Sequence, residues 1–307
     1  MTLQSETSAG QSKEAGISRF VSAPDGLRLH VRKYGSPAAE GLAVLCLPGL
    51  ARTSADFAPL ATVLASDHHE PRRVIALDYR GRGRSEYDKN PANYSLPVEM
   101  ADVSAVMSAL ELEPAVIIGT SRGGLIAMLL GTLRPTTVAG VVLNDIGPVI
   151  EAKGLMRIKS YVGKLPSPRN EDEGADILRR LFGAQFPKYE DADWIAYART
   201  TWKQDNGRLV LDYDPTLTKS LDAVDLERPI LPFWEQFDAL ARVPVMVIRG
   251  ANSDILSAGT LEAMRARRMD LDVIEVPDQG HAPRLTEPDI IRRIAAFITF
   301  CEISAKR

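Results

Sequence analysis

PAVIIGTSRGGLIAMLL, residues 114–130, is the stretch that decides the fold of this chain. An apolar run typical of a buried strand leads into Gly-Thr-Ser-Arg-Gly, and a helix-like run follows. A G-x-S-x-G pentapeptide between a strand and a helix predicts a tight, strained turn that lifts the hydroxyl of Ser121 out of the sheet. Side chains at Gly119 or Gly123 would collide with the neighbouring strand or helix. Ser121 is therefore the candidate nucleophile.

The candidate general base follows from the position of the histidines. A serine of ordinary pKa needs a base within hydrogen-bond reach, and histidine usually supplies it. The chain has His30, His68, His69 and His281, and only His281 lies C-terminal to Ser121. It stands in a Gly/Pro-rich loop after a strand-like run, where a base could reach the end of the sheet. We predict His281 as the base and the other three histidines as structural or solvated.

A carboxylate is expected to fix the imidazole tautomer and to stabilise its charged form. Asp254 follows the apolar run of residues 244–248, and Asp145 follows the strand-like residues 138–143. Both lie at the C-terminal ends of predicted parallel strands, where open α/β sheets build their sites. We predict Asp254 as the acid and keep Asp145 as the alternative. The carboxylate that is not used would cap or hold a turn.

Apolar strands alternate with helical patterns along most of the chain, which predicts a parallel sheet with helices on both faces. A hairpin is predicted over residues 18–34, on either side of the turn pair Asp25-Gly26. The predicted strands cover residues 43–47, 73–77, 115–118, 138–143, 245–248 and 272–276. The predicted helices cover residues 54–65, 96–110, 122–133, 258–267 and 288–301.

Five motifs, in their order along the chain, resemble those of the α/β-hydrolase superfamily over about residues 20–300. They are LPGL at 47–50, DYRGRGRS at 78–85, GTSRGG at 119–124, RGANSD at 249–254 and GH at 280–281. Pro48 replaces the histidine that is common in the first of these motifs. The resemblance implies an α/β-hydrolase fold, a mostly parallel sheet with helices on both faces and a helical cap insertion. The backbone N–H groups of Leu50 and Arg122 are then expected to form the oxyanion hole.

The alternation of strands and helices stops between about residues 147 and 232. Helical patterns near 153–163, 171–185 and 192–203 precede a predicted loop around residues 205–207. Such an insert resembles the cap of the superfamily, which would roof the serine and exclude water. We therefore divide the chain into a flexible tail at 1–17, a core domain at 18–146 and 233–307, and a helical cap domain at 147–232.

Aromatic residues are concentrated in this predicted cap. One hypothesis is that Trp194, Trp202 or Trp234, or more than one of them, lines the substrate pocket. The alternative, that each of the three packs the cap to itself or to the core, stays open. Arg122 also has two interpretations. Its side chain either attracts a substrate carboxylate or, as we favour, pairs with a structural carboxylate and contributes only its backbone N–H.

Composition narrows the class of protein. A chain of 307 residues, 45% of them hydrophobic, can bury a large core. The formal charge of −3 gives no general attraction to nucleic acid or anionic lipid, so neither partner is expected. Cys46 and Cys301 offer no disulfide framework, and the first 16 residues lack the apolar region of a signal peptide. No apolar stretch is long enough to span a bilayer, and a cytoplasmic location is expected.

The predicted reaction is hydrolysis of a carboxylic ester or lactone of a small-to-medium acyl substrate. His281 would take the proton of Ser121, an acyl-serine would form, and His281 would then activate water. No metal or organic cofactor is needed for this chemistry. Three alternatives stay open: hydrolytic C–C cleavage of a vinylogous diketo acid from ring cleavage, acyl transfer to a small alcohol, and a ligand receptor that retains the triad. A homo-oligomer is also left open.

Overall fold

The computed structural model describes residues 16–219 and 230–306. The strands in chain order are β1 (Ile17–Ser22), β2 (Arg28–Tyr34), β3 (Ala43–Leu47), β4 (Val74–Leu77), β5 (Ala115–Thr120), β6 (Val138–Asn144), β7 (Trp202–Asp205), β8 (Arg208–Leu211), β9 (Val245–Gly250) and β10 (Asp272–Val276). The α-helices are α1 (Ala58–Ser66), α2 (Leu96–Ala109), α3 (Arg122–Leu133), α4 (Ala152–Tyr161), α5 (Glu171–Phe182), α6 (Asp191–Arg199), α7 (Trp234–Asp238), α8 (Ala258–Arg267) and α9 (Pro288–Ala305).

Eight strands form one sheet in the order β1-β2-β4-β3-β5-β6-β9-β10. Strand β2 is antiparallel to β1 and to β4. All other neighbouring strands of this eight-stranded sheet are parallel to each other. The predicted N-terminal hairpin and parallel sheet are thus confirmed. Consecutive parallel strands all end at one edge of the sheet, and that edge receives the residues that follow β3, β5, β6, β9 and β10.

The central strands are buried on both faces, which explains why their sequences are almost continuously apolar. Side chains alternate between the faces with a period of two, as in any strand. Leu45 and Ile117 belong to the core on one face, while Val44 and Ile118 belong to the core on the other. Helices cover both cores, as the alternation in the sequence predicts.

The predicted element bounds agree closely with the structure where the local signals are strong. Helices α3 and α8 and strands β3 and β10 begin and end at the predicted residues. The helix predicted at 54–65 is divided, because a 3-10 helix (Ser54–Phe57) precedes α1. Pro59 stands in the first turn of α1, where its missing N–H costs no intrahelical hydrogen bond. No helix of the described ranges is long and apolar enough to cross a membrane.

Between β6 and β9 the chain forms α4, α5, α6 and the two-stranded hairpin β7–β8, which we call the insert (residues 147–219). The insert has a hydrophobic core of its own, which includes Leu178, Phe182 and Trp194. The segment predicted as a loop is the turn of the hairpin: Asn206 and Gly207 have φ of +48° and +77°. Positive φ at both central residues is typical of a type I′ hairpin turn. Residues 220–229 of the predicted cap lie outside the described residues.

Candidate active site

The serine turn has the geometry that the pentapeptide predicts. Ser121 lies between the end of β5 and the start of α3, with φ of +51° and ψ of −112°, a strained conformation for a residue with a side chain. A Cβ atom on Gly119 would lie 2.4 Å from the carbonyl carbon of Gly123, and one on Gly123 would lie 2.1 Å from the carbonyl oxygen of Leu47. Both positions therefore exclude any larger residue.

Ser121, His281 and Asp145 form one hydrogen-bonded chain. The Nε2 atom of His281 lies 2.9 Å from Oγ of Ser121, and its Nδ1 atom lies 2.8 Å from Oδ2 of Asp145. The Asp145 side chain is fully buried, and that of His281 is 7% exposed. The carboxylate of Asp145 also accepts hydrogen bonds from Oγ of Ser253 at 2.6 Å and from the backbone N–H of Gly250 at 2.8 Å. A buried carboxylate with several donors is held firmly in one orientation.

The structure does not place Asp254, the predicted acid, against His281. Its two carboxylate oxygens accept hydrogen bonds from Nε and Nη2 of Arg157 on α4, at 2.7 and 2.8 Å. Burial raises the pKa of Asp254, but the hydrogen bonds and charge of Arg157 outweigh burial and hold that pKa below its ordinary value. The prediction is corrected here: Asp145, which was the alternative, supplies the carboxylate, and Asp254 joins the insert to the core.

The two predicted oxyanion donors lie close to Ser121, one at the start of α3 and one in the turn after β3. Arg122 is the first residue of α3, so its backbone N–H has no carbonyl acceptor within the helix. Leu50 follows β3 and lines the same cavity as Ser121. A Cβ atom on the preceding Gly49 would lie 3.9 Å from Cβ of Ser121, so this turn passes close to the serine. Nε of Arg82 donates to the carbonyl oxygen of Leu50 at 2.9 Å and fixes its orientation.

A buried carboxylate connects these two sides of the site. Oε2 of Glu99 lies 2.5 Å from Nε of Arg122, and Oε1 of Glu99 lies 2.7 Å from Nη1 of Arg82. Both Glu99 and Arg82 are fully buried. The Arg122 side chain therefore pairs with a structural carboxylate, which is the interpretation we favoured from the sequence. No pattern in the sequence of α2 distinguishes Glu99 from a surface residue, so the sequence analysis missed it.

A cavity of about 120 Å³ lies between the serine turn and the insert. This is similar to the roughly 150 Å³ of a protein cavity that holds one benzene molecule, so the enclosed part suits a small group. Helices α4 to α6 and the segment after β8 supply most of its apolar wall. The aromatic lining residues from the insert are Tyr161, Phe182, Tyr197 and Tyr213.

None of the three predicted tryptophans lines this cavity. Trp194 packs against Phe186 and Tyr189 inside the insert. Trp202 is also buried in the core of the insert, and its Nε1 donates to a backbone carbonyl of the same segment. The guanidinium of Arg267 lies over Trp234, with its Cζ atom 4.4 Å from the centroid of the Trp234 ring. The pocket hypothesis is therefore wrong for all three, and the packing alternative holds.

Two arginines that the sequence analysis did not single out also line the cavity. Arg52 lies in the turn after β3, and Arg284 lies three residues after His281. Their guanidinium carbons lie 4.9 and 5.9 Å from the ring centroid of Tyr197. One wall of the cavity therefore carries two positive side chains around one aromatic ring.

The other histidines have structural or solvated positions, as predicted. His68 and His69 are exposed, whereas His30 is buried on β2. Nδ1 of His30 lies 2.7 Å from Oδ2 of Asp78, and its Nε2 lies 3.0 Å from Oγ of Ser18. Within residues 16–219 and 230–306, no group of three or more His, Cys, Asp and Glu side chains is arranged to hold a metal ion.

The chain is similar to known proteins over most of its length. The model of the Alpha/beta hydrolase family matches residues 44–294. The 3-hydroxybutyrate-oligomer hydrolase of Cupriavidus necator is 33% identical over 298 residues, which cover 94% of this chain and 98% of that protein. The 2-(acetamidomethylene)succinate hydrolase of Mesorhizobium japonicum is 28% identical over 89% of this chain and 92% of that protein. The crystal structure of an alpha/beta hydrolase from Novosphingobium aromaticivorans is 37% identical, with a TM-score of 0.85, and the match covers 94% of this chain and 99% of that one. These likenesses confirm the predicted fold.

Proposed function

Because the chain belongs to the alpha/beta hydrolase family, we propose that it hydrolyses a carboxylic ester through an acyl-serine intermediate. The observation that carries this proposal is the hydrogen-bonded chain from Ser121 through His281 to Asp145, with both distances below 3.0 Å. Nucleophile, base and orienting carboxylate then have the geometry required for acyl transfer.

Acylation begins when Nε2 of His281 takes the proton of Ser121 as its Oγ attacks the ester carbonyl. The positive charge that forms on the imidazole is balanced by Asp145, which keeps Nδ1 protonated. The backbone N–H groups of Leu50 and Arg122 stabilise the oxyanion, and removal of one such donor typically lowers the rate by about 100-fold to 1,000-fold. The ester C–O bond then breaks, and His281 returns its proton to the leaving alkoxide.

Deacylation repeats these steps with water in place of the serine. His281 takes a proton from water, whose oxygen attacks the acyl-serine carbonyl, and the same two N–H groups hold the second oxyanion. Collapse of this intermediate releases the carboxylic acid and returns the proton to Ser121. Apolar residues of the insert line the cavity beside the serine, which lowers the exposure of the reacting groups to bulk water.

Two observations favour a short hydroxyacid ester as the substrate. The relative from Cupriavidus necator is named for hydrolysis of 3-hydroxybutyrate oligomers, whose units are joined by ester bonds, and it is similar over nearly the whole chain. The cavity of about 120 Å³ also suits a small acyl group. We therefore propose esters of short hydroxyacids, internal lactones included, as the substrate class.

The test compares Ser121→Ala with a matched variant, Ser18→Ala. Ser18 also has a histidine nitrogen at 3.0 Å and an aspartate behind that histidine, but it lies on strand β1 outside the cavity. Hydrolysis of p-nitrophenyl acetate, p-nitrophenyl butyrate and the 3-hydroxybutyrate dimer is measured together with fluorophosphonate labelling. We expect Ser121→Ala to lower kcat/KM by at least about 10,000-fold, and Ser18→Ala to change it by less than about twofold.

Mass spectrometry should locate the fluorophosphonate on Ser121 and not on Ser18. Labelling of Ser121 without turnover of any ester would reject ester hydrolysis and favour C–C hydrolysis, acyl transfer or ligand retention. Activity that survives Ser121→Ala would reject the acyl-serine mechanism itself.

A further inference from the structure

Arg52, Arg284 and Tyr197 form a corner of the catalytic cavity that the proposed mechanism does not use; we call it the arginine corner. A positive charge that is partly withdrawn from water is costly unless it is paired. Whether each arginine has a partner therefore determines what the corner can bind.

Arg52 is fully engaged by the protein. Its Nε and Nη2 atoms donate to the two oxygens of Asp56 at 2.7 and 2.5 Å, a bidentate pair. The side-chain hydroxyls of Thr200 and Thr201 accept further hydrogen bonds from Nη2 and Nη1 at 2.7 and 2.8 Å. The charge of Arg52 is thus balanced within the cavity wall, and the arginine joins the turn after β3 to the insert.

Arg284 differs from Arg52 in its partners. Within the described ranges, no carboxylate oxygen lies within 4.0 Å of its guanidinium, and Nη1 donates to the backbone carbonyl of Asp193 at 3.2 Å. The residue is half-buried between Pro283 and Leu285, which are both buried. A guanidinium has five N–H donors in a planar fork, so most of the donors of Arg284 remain for a ligand.

The position of Arg284 ties this charge to the reaction. It follows His281 by three residues on the same loop and lines the same cavity as Ser121. A group bound by Arg284 would therefore occupy the same cavity as an ester carbonyl at Ser121. The arginine fork matches the two oxygens of a carboxylate, which gives both orientation and affinity.

We propose that Arg284 binds a free carboxylate of the substrate, so that the enzyme prefers short anionic esters, such as a hydroxyacid dimer with a free carboxyl end, over neutral ones. This inference rests on the proposed ester hydrolysis. The reaction itself is unchanged: the ester C–O bond of the dimer breaks, water is added, and two hydroxyacids are released. The role of Arg284 is to place the ester at Ser121 by holding the carboxylate.

The test uses the linear 3-hydroxybutyrate dimer as the free acid and as its terminal carboxamide, which removes the charge and keeps the ester. We expect the wild type to prefer the acid by about 10-fold to 100-fold in kcat/KM, the range for hydrogen bonds to a charged group. Arg284→Gln should remove that preference, mainly through a higher KM for the acid, so that acid and amide are hydrolysed with similar kcat/KM. Arg284→Lys should keep part of the preference because the charge remains. Arg292→Gln on α9, an exposed arginine, is the control and should change nothing.

Binding to Ser121→Ala, measured by calorimetry, separates this inference from the proposed function. Tighter binding of the acid than of the amide supports the carboxylate site. Equal hydrolysis and equal binding of acid and amide would overturn it while ester hydrolysis still stands. If Arg284→Gln lowers the hydrolysis of acid and amide equally, the result with Arg284→Lys is decisive. Loss of the preference for the acid in Arg284→Lys rejects the inference, and retention of that preference supports it. If the wild type cleaves neither compound and Ser121→Ala binds neither, both proposals fall.

Discussion

Asp145 and Asp254 are both candidates for the carboxylate that orients His281, and the hydrogen-bond donors around them distinguish the two. Gly250 is the last residue of β9, and Ser253 stands in the loop that bears Asp254. The backbone N–H of Gly250 and the hydroxyl of Ser253 both donate to Asp145. Asp145 follows β6 directly, with φ of +54°, and its side chain is fully buried beside His281. The loop predicted to supply the acid therefore supplies the hydrogen bonds that hold it.

The sequence shows both carboxylates but not their distances to His281. Each follows a strand of the same parallel sheet, and neighbouring strands end at the same edge. Which one meets the imidazole depends on the path of three loops in space, and no local pattern records that path. The nucleophile and the base could be predicted from the sequence because the serine turn is a local motif and only one histidine follows it.

We expect Asp145→Asn to lower kcat by about 1,000-fold to 10,000-fold, since an amide cannot hold the required tautomer or balance the imidazolium. Asp254→Asn should change kcat by less than about tenfold, because its carboxylate contacts Arg157 and not the imidazole. Steady-state hydrolysis of p-nitrophenyl butyrate by both variants measures the difference. Equal losses of kcat in the two variants would show that the hydrogen bonds to Asp145 do not determine which aspartate orients His281.

Among the elements, those with strong local signals were predicted most closely. Helix α3 begins at the predicted residue because the glycine-flanked serine turn leaves no other start. The hairpin β7–β8 was missed although Asn206-Gly207 is a strong hairpin signal, because its strands are only four residues long and neither alternates regularly between apolar and polar residues. The tryptophans of the insert show the other limit, since aromatic composition does not tell which face of a helix meets a cavity.

Helix α2 contributes one side chain, Glu99, that connects the turn after β3 to the start of α3. It pairs with Arg82, which holds the carbonyl of Leu50, and with the side chain of Arg122. Both residues expected to donate to the oxyanion are therefore supported from one buried carboxylate. Buried pairs are costly to break because the remaining charge is left unpaired.

We expect Glu99→Gln to lower the free energy of unfolding by about 3 kcal/mol or more and also to lower kcat. The matched control is Glu113→Gln, which breaks a surface pair with Arg134 and should cost less than about 1 kcal/mol. Urea unfolding at neutral pH measures the first quantity, and ester hydrolysis below the unfolding range measures the second. A stability loss with unchanged kcat would restrict Glu99 to a purely structural role.

At the scale of the whole molecule, two segments of the insert hold it on the core. In the segment after β8, Asp214 accepts a hydrogen bond from the hydroxyl of Tyr94 at 2.5 Å, and the carbonyl of Asp212 accepts one from the backbone N–H of Gly83 at 2.8 Å. In helix α4, Arg157 pairs with Asp254. These contacts join segments that are far apart in the chain, so the sequence predicts an insert but not how it sits over the serine.

The pair Arg157–Asp254 should therefore stabilise the attachment of the insert. A double-mutant cycle with Arg157→Gln and Asp254→Asn is expected to give a coupling energy of about 1 to 2 kcal/mol, as for charged hydrogen bonds with limited exposure. Asp238→Asn, which breaks a half-exposed pair with Arg267, is the control and should cost less than about 1 kcal/mol.

The stabilisation from this pair should depend on pH in one direction. Burial raises the pKa of Asp254, but Arg157 lowers it more, so the folded pKa lies below the ordinary value of 3.8. The carboxylate is then ionised in both states above that value, where the stability difference between wild type and Asp254→Asn is fully present. As the pH falls below 3.8 and through the folded pKa, the unfolded state binds the proton first and the difference disappears. Urea unfolding of wild type and Asp254→Asn across this pH range measures the difference in their free energies of unfolding. A difference that grows on acidification would contradict an ionised Asp254 held by Arg157.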